Sequence, residues 1–95
     1  MQVLVRFTGP LRSLAGSAMQ WVELQEDTTV RDLFRSLAEL LPAPFVLQVL
    51  APLRQGTAPA GLLLVNRESL RSPSDLERTL ANGDVIAFVP PMAGG

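Results

Sequence analysis

Residues 29–41, TVRDLFRSLAELL, decide the fold, because here apolar side chains recur at helical spacing over a long stretch. Thr29 is a suitable N-cap residue, and Asp32 follows where a carboxylate favours the positive end of the helix dipole. Pro42 and Pro44 end the segment. We therefore predict one amphipathic helix that packs on a sheet. Its apolar stripe consists of Val30, Leu33, Phe34, Leu37, Leu40 and Leu41.

Segments with strand-like patterns lie on both sides of this helix. The first, residues 2–8, alternates so that Val3, Val5 and Phe7 share one face. The others are residues 18–24, 61–66, 69–71 and 85–89. This order of strands around one long helix predicts an α+β domain in which the helix lies across one face of a single sheet.

Short connections complete the predicted domain. Residues 11–16 and residues 72–80 each suit a helical turn with leucines pointing inward. Trp21 falls on the face of its strand opposite the predicted core, where it is either half covered or in contact with a partner protein. Both alternatives for Trp21 stay open.

The segment 42–60 is the hardest to interpret. Its four prolines and Gly56 are expected to prevent long regular structure. Residues 45–50 suit either one or two helical turns packed over the sheet edge or a short strand. Residues 55–60 are predicted to form an exposed loop.

Composition narrows the classes of function. The chain has 95 residues, 47% of them hydrophobic and 18% charged, which suits one compact domain. The net charge of −1 provides no basic field for nucleic acid or an anionic membrane. No apolar run is long enough to span a membrane, and the first residues lack the layout of a signal peptide. We therefore expect a cytoplasmic protein that binds neither nucleic acid nor membrane.

The residue types needed for catalysis are scarce. Cys, His and Lys are absent, and all eight basic residues are Arg. The chain therefore has no thiolate, no imidazole and no side-chain amine that could attack an activated acyl group. Carboxylates such as Glu23, Glu26 and Asp27 show no paired arrangement, and no metal-ligand spacing occurs. We predict a protein that is not an enzyme and has no metal site.

The end of the sequence carries the one chemical signal. Residues 90–95, PPMAGG, directly follow the apolar strand 85–89. Prolines end the strand and stiffen the exit, while glycines without Cβ allow the backbone into a narrow channel. At full extension six residues reach about 20 Å. The α-carboxylate of Gly95 would become an acyl carrier once another enzyme activates it. We thus divide the chain into a domain, 1–89, and a flexible tail, 90–95.

The last strand also predicts an interface. If Ile86 and Phe88 point to the helix, alternate side chains form an apolar patch on the opposite face, which is typical of a partner surface. The patch consists of Val85, Ala87, Val89 and Leu4, joined by either Leu63 or Val65. The alternative is that the segment 42–60 covers this patch.

Together these residues resemble the family of MoaD, the small subunit of molybdopterin synthase, within the MoaD and ThiS group of ubiquitin-like sulfur carriers. The resemblance is carried by Leu64-Val65-Asn66, Asn82-Gly83-Asp84, Ile86-Ala87-Phe88 and Pro90-Pro91-Met92-Ala93-Gly94-Gly95, and also by Val3–Phe7, Leu11–Gly16 and Thr29–Leu33. It covers nearly the whole chain except residues 42–60. The lack of lysine and Met92, where the family more often has valine, are departures.

The resemblance implies a ubiquitin-like β-grasp fold, with a mixed sheet of about five strands on one main helix and a flexible C-terminal tail. It also implies that a MoeB-like adenylating enzyme uses ATP on the Gly95 carboxylate and that a sulfurtransferase converts the adenylate to a thiocarboxylate. The chain itself would bind no cofactor.

In the same family pattern, the tail inserts into a MoaE-like large subunit that supplies the catalytic side chains, within a heterotetramer. The inserted residues would be Gly95, Gly94, Ala93, Met92, Pro91 and Pro90. Sulfur would then pass to a pyranopterin precursor in molybdenum cofactor biosynthesis.

Three alternatives stay open. The chain could carry sulfur for thiamine synthesis or tRNA thiolation, although the two prolines before the last four residues favour molybdopterin synthase. It could be a ubiquitin-like modifier whose Gly95 joins lysines of target proteins; its own lack of lysine forbids chains built on its side chains. It could also be a plain interaction domain.

Overall fold

A computed structural model describes residues 1–56, 63–70 and 72–90 of the chain. In this part of the chain five strands form one mixed sheet in the order β2-β1-β5-β3-β4. The strands are β1 (Gln2–Phe7), β2 (Met19–Glu23), β3 (Leu63–Val65), β4 (Glu68–Ser69) and β5 (Val85–Phe88). β1 is antiparallel to β2 and parallel to β5, and β5 is antiparallel to β3. The last strand therefore lies in the middle of the sheet.

The five predicted strands are confirmed, and each ends one or two residues before its predicted last residue. β3 covers part of the predicted 61–66, and residues 61 and 62 lie outside the described residues. β4 begins one residue before the predicted 69–71, since β3 and β4 are joined by a tight turn with positive φ at Asn66 and Arg67.

The predicted helix is confirmed as α2 (Val30–Leu40), which follows α1 (Leu11–Ala15). The backbone N–H of Asp32 donates to the Thr29 hydroxyl at 3.2 Å, as expected of an N-cap. The stripe prediction is wrong at Leu40, whose side chain is 55% exposed. The chain leaves the helix at Leu41 in an extended conformation, which places Leu41 in the core in place of Leu40.

The prolines of the next segment do not prevent regular structure, contrary to expectation. A continuous helical segment, which we call the proline-rich helix, comprises α3 (Ala43–Phe45), a π-helical turn (Val46–Leu50) and α4 (Ala51–Gln55). Pro44 lies in the first turn, where its missing N–H is not needed. Just before Pro52 the helix widens, and the N–H of Ala51 donates to the carbonyl of Val46. Such a π turn accommodates a proline that cannot donate four residues back.

The proline-rich helix packs on the same face of the sheet as α2. The Phe45 ring lies edge-on to Phe7 and Phe88, with ring centroids 5.1 and 5.2 Å apart. Phe34 of α2 contacts the same Phe88 at 6.0 Å. Residues 45–50 are thus helical, as one of the two alternatives has it, but Phe45 packs on the face of the sheet and not over its edge. The alternative that this segment covers the opposite face does not hold for its described residues. Gln55 belongs to α4, and residues 57–60 of the predicted loop lie outside the described residues.

A 3₁₀ helix (Pro73–Glu77) follows β4 and returns the chain to β5. Its Leu76 and the later Leu80 are buried, as predicted. In the described part of the chain the buried core is entirely apolar. A mixed sheet of this order, with α2 and the proline-rich helix packed on one face, has the β-grasp architecture. None of the described helices is long and apolar enough to cross a membrane.

Candidate functional site

The predicted tail starts from the middle strand of the sheet. β5 is flanked by β1 and β3, and Phe88 is its last residue. Val89 and Pro90 follow, both half-buried. The remaining predicted site residues, Pro91, Met92, Ala93, Gly94 and Gly95, lie outside the described residues. The structure therefore describes Val89 and Pro90, which we call the root of the tail and which directly follow the central strand β5.

The loop after β1 contacts this root. Both the backbone N–H and the hydroxyl of Thr8 donate to the carbonyl oxygen of Phe88, each at 3.2 Å. Gly9 has φ of +56°, and a Cβ built on it would lie 3.3 Å from Cγ of Pro90. These contacts were not predicted. The sequence offers only a glycine-proline pair after the first strand, which indicates a turn but does not indicate a contact with a residue so distant in sequence.

The sheet has one face without helices among the described residues, which we call the open face. Leu4 of β1 lies between Val85 of β5 and Trp21 of β2 in the pairing register. Leu4, Val85 and Ala87 are all half-buried, as side chains on a sheet surface would be. The structure thus brings these predicted interface residues together on the open face, with the half-buried Val89 directly after β5.

Neither of the two residues predicted to join them does so. Leu63 and Val65 are both 0% exposed and face the core, because Ile86 and Phe88, their register partners, point to the helices. Leu64, which pairs with Ala87, is half-buried and joins the open face instead. The register of β3 is therefore one residue different from the predicted one. Because side chains alternate along a strand, this shift places Leu63 and Val65 in the core and Leu64 on the open face.

Two large apolar side chains extend the open face to its edge strand. Trp21 is 58% exposed and Met19 is 51% exposed, and both belong to β2. Trp21 pairs with Leu4 and Met19 pairs with Arg6. Of the two alternatives for Trp21, the exposure favours an accessible ring that a partner could cover.

Two arginines flank the apolar centre of the open face. A shallow depression of about 470 Å³ is lined by Arg6, Leu64, Asn66, Arg67, Val85 and Ala87. Ion pairs in the described residues are made by Arg31 with Glu77 and by Arg78 with Glu68, and neither Arg6 nor Arg67 takes part in one. The open face therefore offers an apolar surface with positive charge beside it, which complements an apolar partner surface that carries carboxylates.

Within the described ranges, no group of three or more His, Cys, Asp and Glu side chains could hold a metal ion. In the described geometry the central strand β5 leads to the tail and lies beside an accessible apolar face. This arrangement suits a protein that brings its end to a catalytic site on another protein.

Comparisons with known proteins agree with this geometry. The model of the ThiS family matches residues 5–95. SAMP1, the small archaeal modifier protein 1 of Haloferax volcanii, superposes with a TM-score of 0.70 at 24% identity, and each chain is covered completely. A complex of subunits 1 and 2 of the molybdopterin-converting factor of Helicobacter pylori contains a chain with a TM-score of 0.66 at 22% identity, with both chains covered completely.

Urm1 from Trypanosoma brucei has a TM-score of 0.69 at 18% identity, with 99% of this chain and 95% of that chain covered. At these identities the three likenesses establish the fold. A comparison with curated proteins finds no match.

Proposed function

This chain belongs to the ThiS family of ubiquitin-like sulfur carriers, and we propose that it donates sulfur as the small subunit of a molybdopterin synthase in molybdenum cofactor biosynthesis. The observation that carries the sulfur-carrier part of the proposal is the family match, which extends to Gly94 and Gly95. The central position of β5, from which these residues follow, supports it.

The proposed chemistry takes place at the carboxylate of Gly95. One carboxylate oxygen attacks the α-phosphate of ATP in a MoeB-like adenylating enzyme, which releases pyrophosphate and leaves an acyl-adenylate. The terminal sulfur of a sulfurtransferase persulfide then attacks the carbonyl carbon, and AMP leaves. A thiol reduces the resulting acyl disulfide, becomes part of a disulfide itself, and releases the thiocarboxylate. The partner enzymes supply every catalytic group in these steps.

The open face would dock this chain on its acceptor. Leu4, Val85, Ala87 and Val89 are the predicted contacts, and Trp21 extends them to the sheet edge. Docking through this face places the root of the tail next to the partner, because β5 contributes side chains to the open face and also leads into the tail. A MoaE-like large subunit is the proposed partner. The Helicobacter pylori structure, in which subunits 1 and 2 form a complex, supports a partner of this kind.

The small-subunit assignment rests on the form of the ending. Pro90 and Pro91 limit the conformations that the tail loses on insertion, which lowers the entropic cost of entering a channel. Thiamine synthesis and tRNA thiolation use the same carrier chemistry, so the acceptor decides among these pathways.

A second candidate function is protein modification. The likeness to SAMP1, which is described as a modifier protein, favours it. In that case an amine of a target protein attacks the carbonyl carbon of the Gly95 acyl-adenylate, an amide bond forms, the bond to AMP breaks, and the amine proton leaves with AMP or with solvent. The same tail and the same open face would serve both uses.

The test is the intact mass of the chain after incubation with ATP, a MoeB-like adenylating enzyme and a sulfur donor. We expect a mass gain equal to the exchange of one oxygen for sulfur, and we expect none from a variant that lacks Gly95. Leu47→Ala is the matched control, because Leu47 is 70% exposed on the proline-rich helix. ATP-dependent attachment to other proteins without this mass gain would favour the modifier. Neither product, with a partner enzyme of proven activity, would overturn both.

The pathway is tested separately with the thiocarboxylated chain. Mixed with a MoaE-like subunit and the cyclic pyranopterin precursor, it should yield a dithiolene product and return to its carboxylate mass. A thiocarboxylated chain that stays loaded here, but is consumed in a thiamine or tRNA thiolation assay, would reassign the pathway.

A further inference from the structure

We propose that Thr8 and Gly9 are positioning residues that fix the direction in which the C-terminal tail leaves the sheet. They lie in the loop between β1 and α1, far from the tail in sequence. Neither touches the reacting carboxylate, so their effect would be transmitted through the tail. This inference rests on the proposed carrier function for its importance, whereas its structural part can be tested without it.

Thr8 holds the last residue of β5. The ladder between β1 and β5 ends at the pair Phe7 and Phe88, and beyond it the Phe88 carbonyl has no further strand residue to bond on β1. Both donors of Thr8 are directed to this one oxygen, from the backbone and from the side chain, at 3.2 Å each. The second bond restrains the peptide group from which Val89 and Pro90 continue.

Gly9 leaves room for the ring of Pro90. Its φ of +56° already favours glycine, and an added Cβ would lie 3.3 Å from Pro90 Cγ. At this distance the proline ring has to shift by a few tenths of an ångström. Gly83 has a φ of +86° with nothing within 4 Å of an added Cβ, so it shares the backbone requirement and lacks the contact.

The loop can act as a fixed support because it is tied to α1. The N–H of Leu11 donates to the carbonyl of Thr8, and the N–H of Arg12 donates to the carbonyl of Gly9, both at 3.2 Å. Leu11 and Ala15 of α1 are buried in the core. A force on the root of the tail is therefore passed to the packed interior.

The direction in which the tail leaves the sheet matters because a small change of angle at the root of a long tail displaces the reacting carboxylate by more than catalysis tolerates. Fully extended residues 90–95 reach about 20 Å, so a turn of about 10° at the root moves the end by roughly 3.5 Å. Misplacement of a reacting group by about 1 Å can cost about 100-fold in rate. A restrained root thus narrows the search of the Gly95 carboxylate for a partner's active site.

The test compares Gly9→Ala with Gly83→Ala in the adenylation and thiocarboxylation assay. We expect Gly9→Ala to lower kcat about tenfold or more with little change in KM, because the open face still docks while the tail points elsewhere. Gly83→Ala should keep the wild-type kcat at a similar loss of thermal stability. Equal rates for the two variants at equal stability would overturn the proposal.

Thr8 gives an independent pair of variants. Thr8→Val keeps the shape of the side chain and loses its hydroxyl donor, so we expect a kcat decrease of about threefold to tenfold, following the loss of one hydrogen bond. Thr8→Ser should restore the rate. A Thr8→Ser variant as slow as Thr8→Val would argue against a role of the hydroxyl.

A readout without partner enzymes separates this inference from the proposed function. The chain has no cysteine, so Ala93→Cys accepts a single nitroxide label. Paramagnetic broadening of backbone amide signals then maps where the tail points. We expect Gly9→Ala to change the pattern and Gly83→Ala to leave it as in the wild type. An unchanged pattern in both would overturn the inference even if the chain is a sulfur carrier, and a changed one would support it even if it is not.

Discussion

Asn66 and Asp84 bind each other across the sheet: the Asn66 amide donates to the Asp84 carboxylate at 2.8 Å. The amide oxygen of Asn66 also accepts from the N–H of Val85 at 2.9 Å, and Asp84 accepts from the N–H of Ala81 at 2.9 Å. The turn between β3 and β4 is thereby joined to the first residue of the strand that leads to the tail. Asn66 does this with φ of +49°, a conformation that asparagine tolerates better than most residues.

Asn66→Ala should lower the free energy of unfolding by about 1–3 kcal/mol. The substitution removes both side-chain hydrogen bonds of residue 66 and places alanine, which tolerates positive φ poorly, in a conformation that these bonds no longer stabilise. Urea denaturation measures the change. Asn66→Gly is the matched control, because it loses the same bonds but has no penalty at positive φ, and it should be the less destabilised of the two. An Asn66→Ala chain as stable as the wild type would contradict this account.

Phe45→Ala should destabilise the domain by about 3–5 kcal/mol, since its ring is fully buried against Phe7 and Phe88. Leu47→Ala, on the exposed side of the same helical segment, should change stability by less than about 0.5 kcal/mol. Thermal and urea unfolding of both variants provide the measurement. Similar values for the two would mean that the proline-rich helix does not pack on the core as described.

Ala87→Glu should weaken binding to the large synthase subunit by about tenfold or more. It places a charge at the centre of the open face, where the proposed partner would have to desolvate it. Leu47→Glu introduces the same charge on the opposite side of the molecule and should leave affinity unchanged. Isothermal titration calorimetry gives both dissociation constants. Equal affinity for the two variants would remove the open face from the proposed interface.

Gly94→Val should reduce the rate of thiocarboxylate formation by about 100-fold, because a branched side chain next to the reacting end prevents close approach to a catalytic site. Folding should not change, so the urea midpoint serves as the control measurement. Ala93→Val, one residue further from the carboxylate, should cost less. A Gly94→Val chain that is loaded at the wild-type rate would contradict insertion into a narrow channel.

Local pattern is sufficient to predict most of the fold and not its connections. Alternation identifies the buried faces of β1 and β5, and the spacing from Val30 to Leu37 identifies the buried face of α2. The stripe prediction fails at Leu40, because helical spacing was assumed through Leu41, whereas Leu41 is extended and takes the buried position while Leu40 stays exposed. Pro52 does not interrupt the helix as predicted, because the π turn before it accommodates a residue that lacks an N–H donor.

The site divides in the same way. The roles of Gly94 and Gly95 stay predictions made from residue type and from the two prolines before them, because both glycines lie outside the described residues. The place of Leu64 on the open face depends on its register with Ala87, which is set by pairing between strands. The contacts of Thr8 and Gly9 with the tail root join residues about 80 positions apart. Such contacts follow from topology, so no local pattern could indicate them.

The parallel pairing of β1 with β5 also determines how the protein bears mechanical load. A partner that grips the tail pulls on β5 along its length, while β1 starts at the other end of the chain and runs in the same direction. Force between the start of β1 and the end of β5 therefore loads all the hydrogen bonds between these strands at once, from the pair Leu4 and Val85 to the pair Phe7 and Phe88. An antiparallel pair pulled in the same way would open one bond at a time. If the tail enters a channel as proposed, a chain pulled between its first strand and its tail would resist unfolding through this shear geometry.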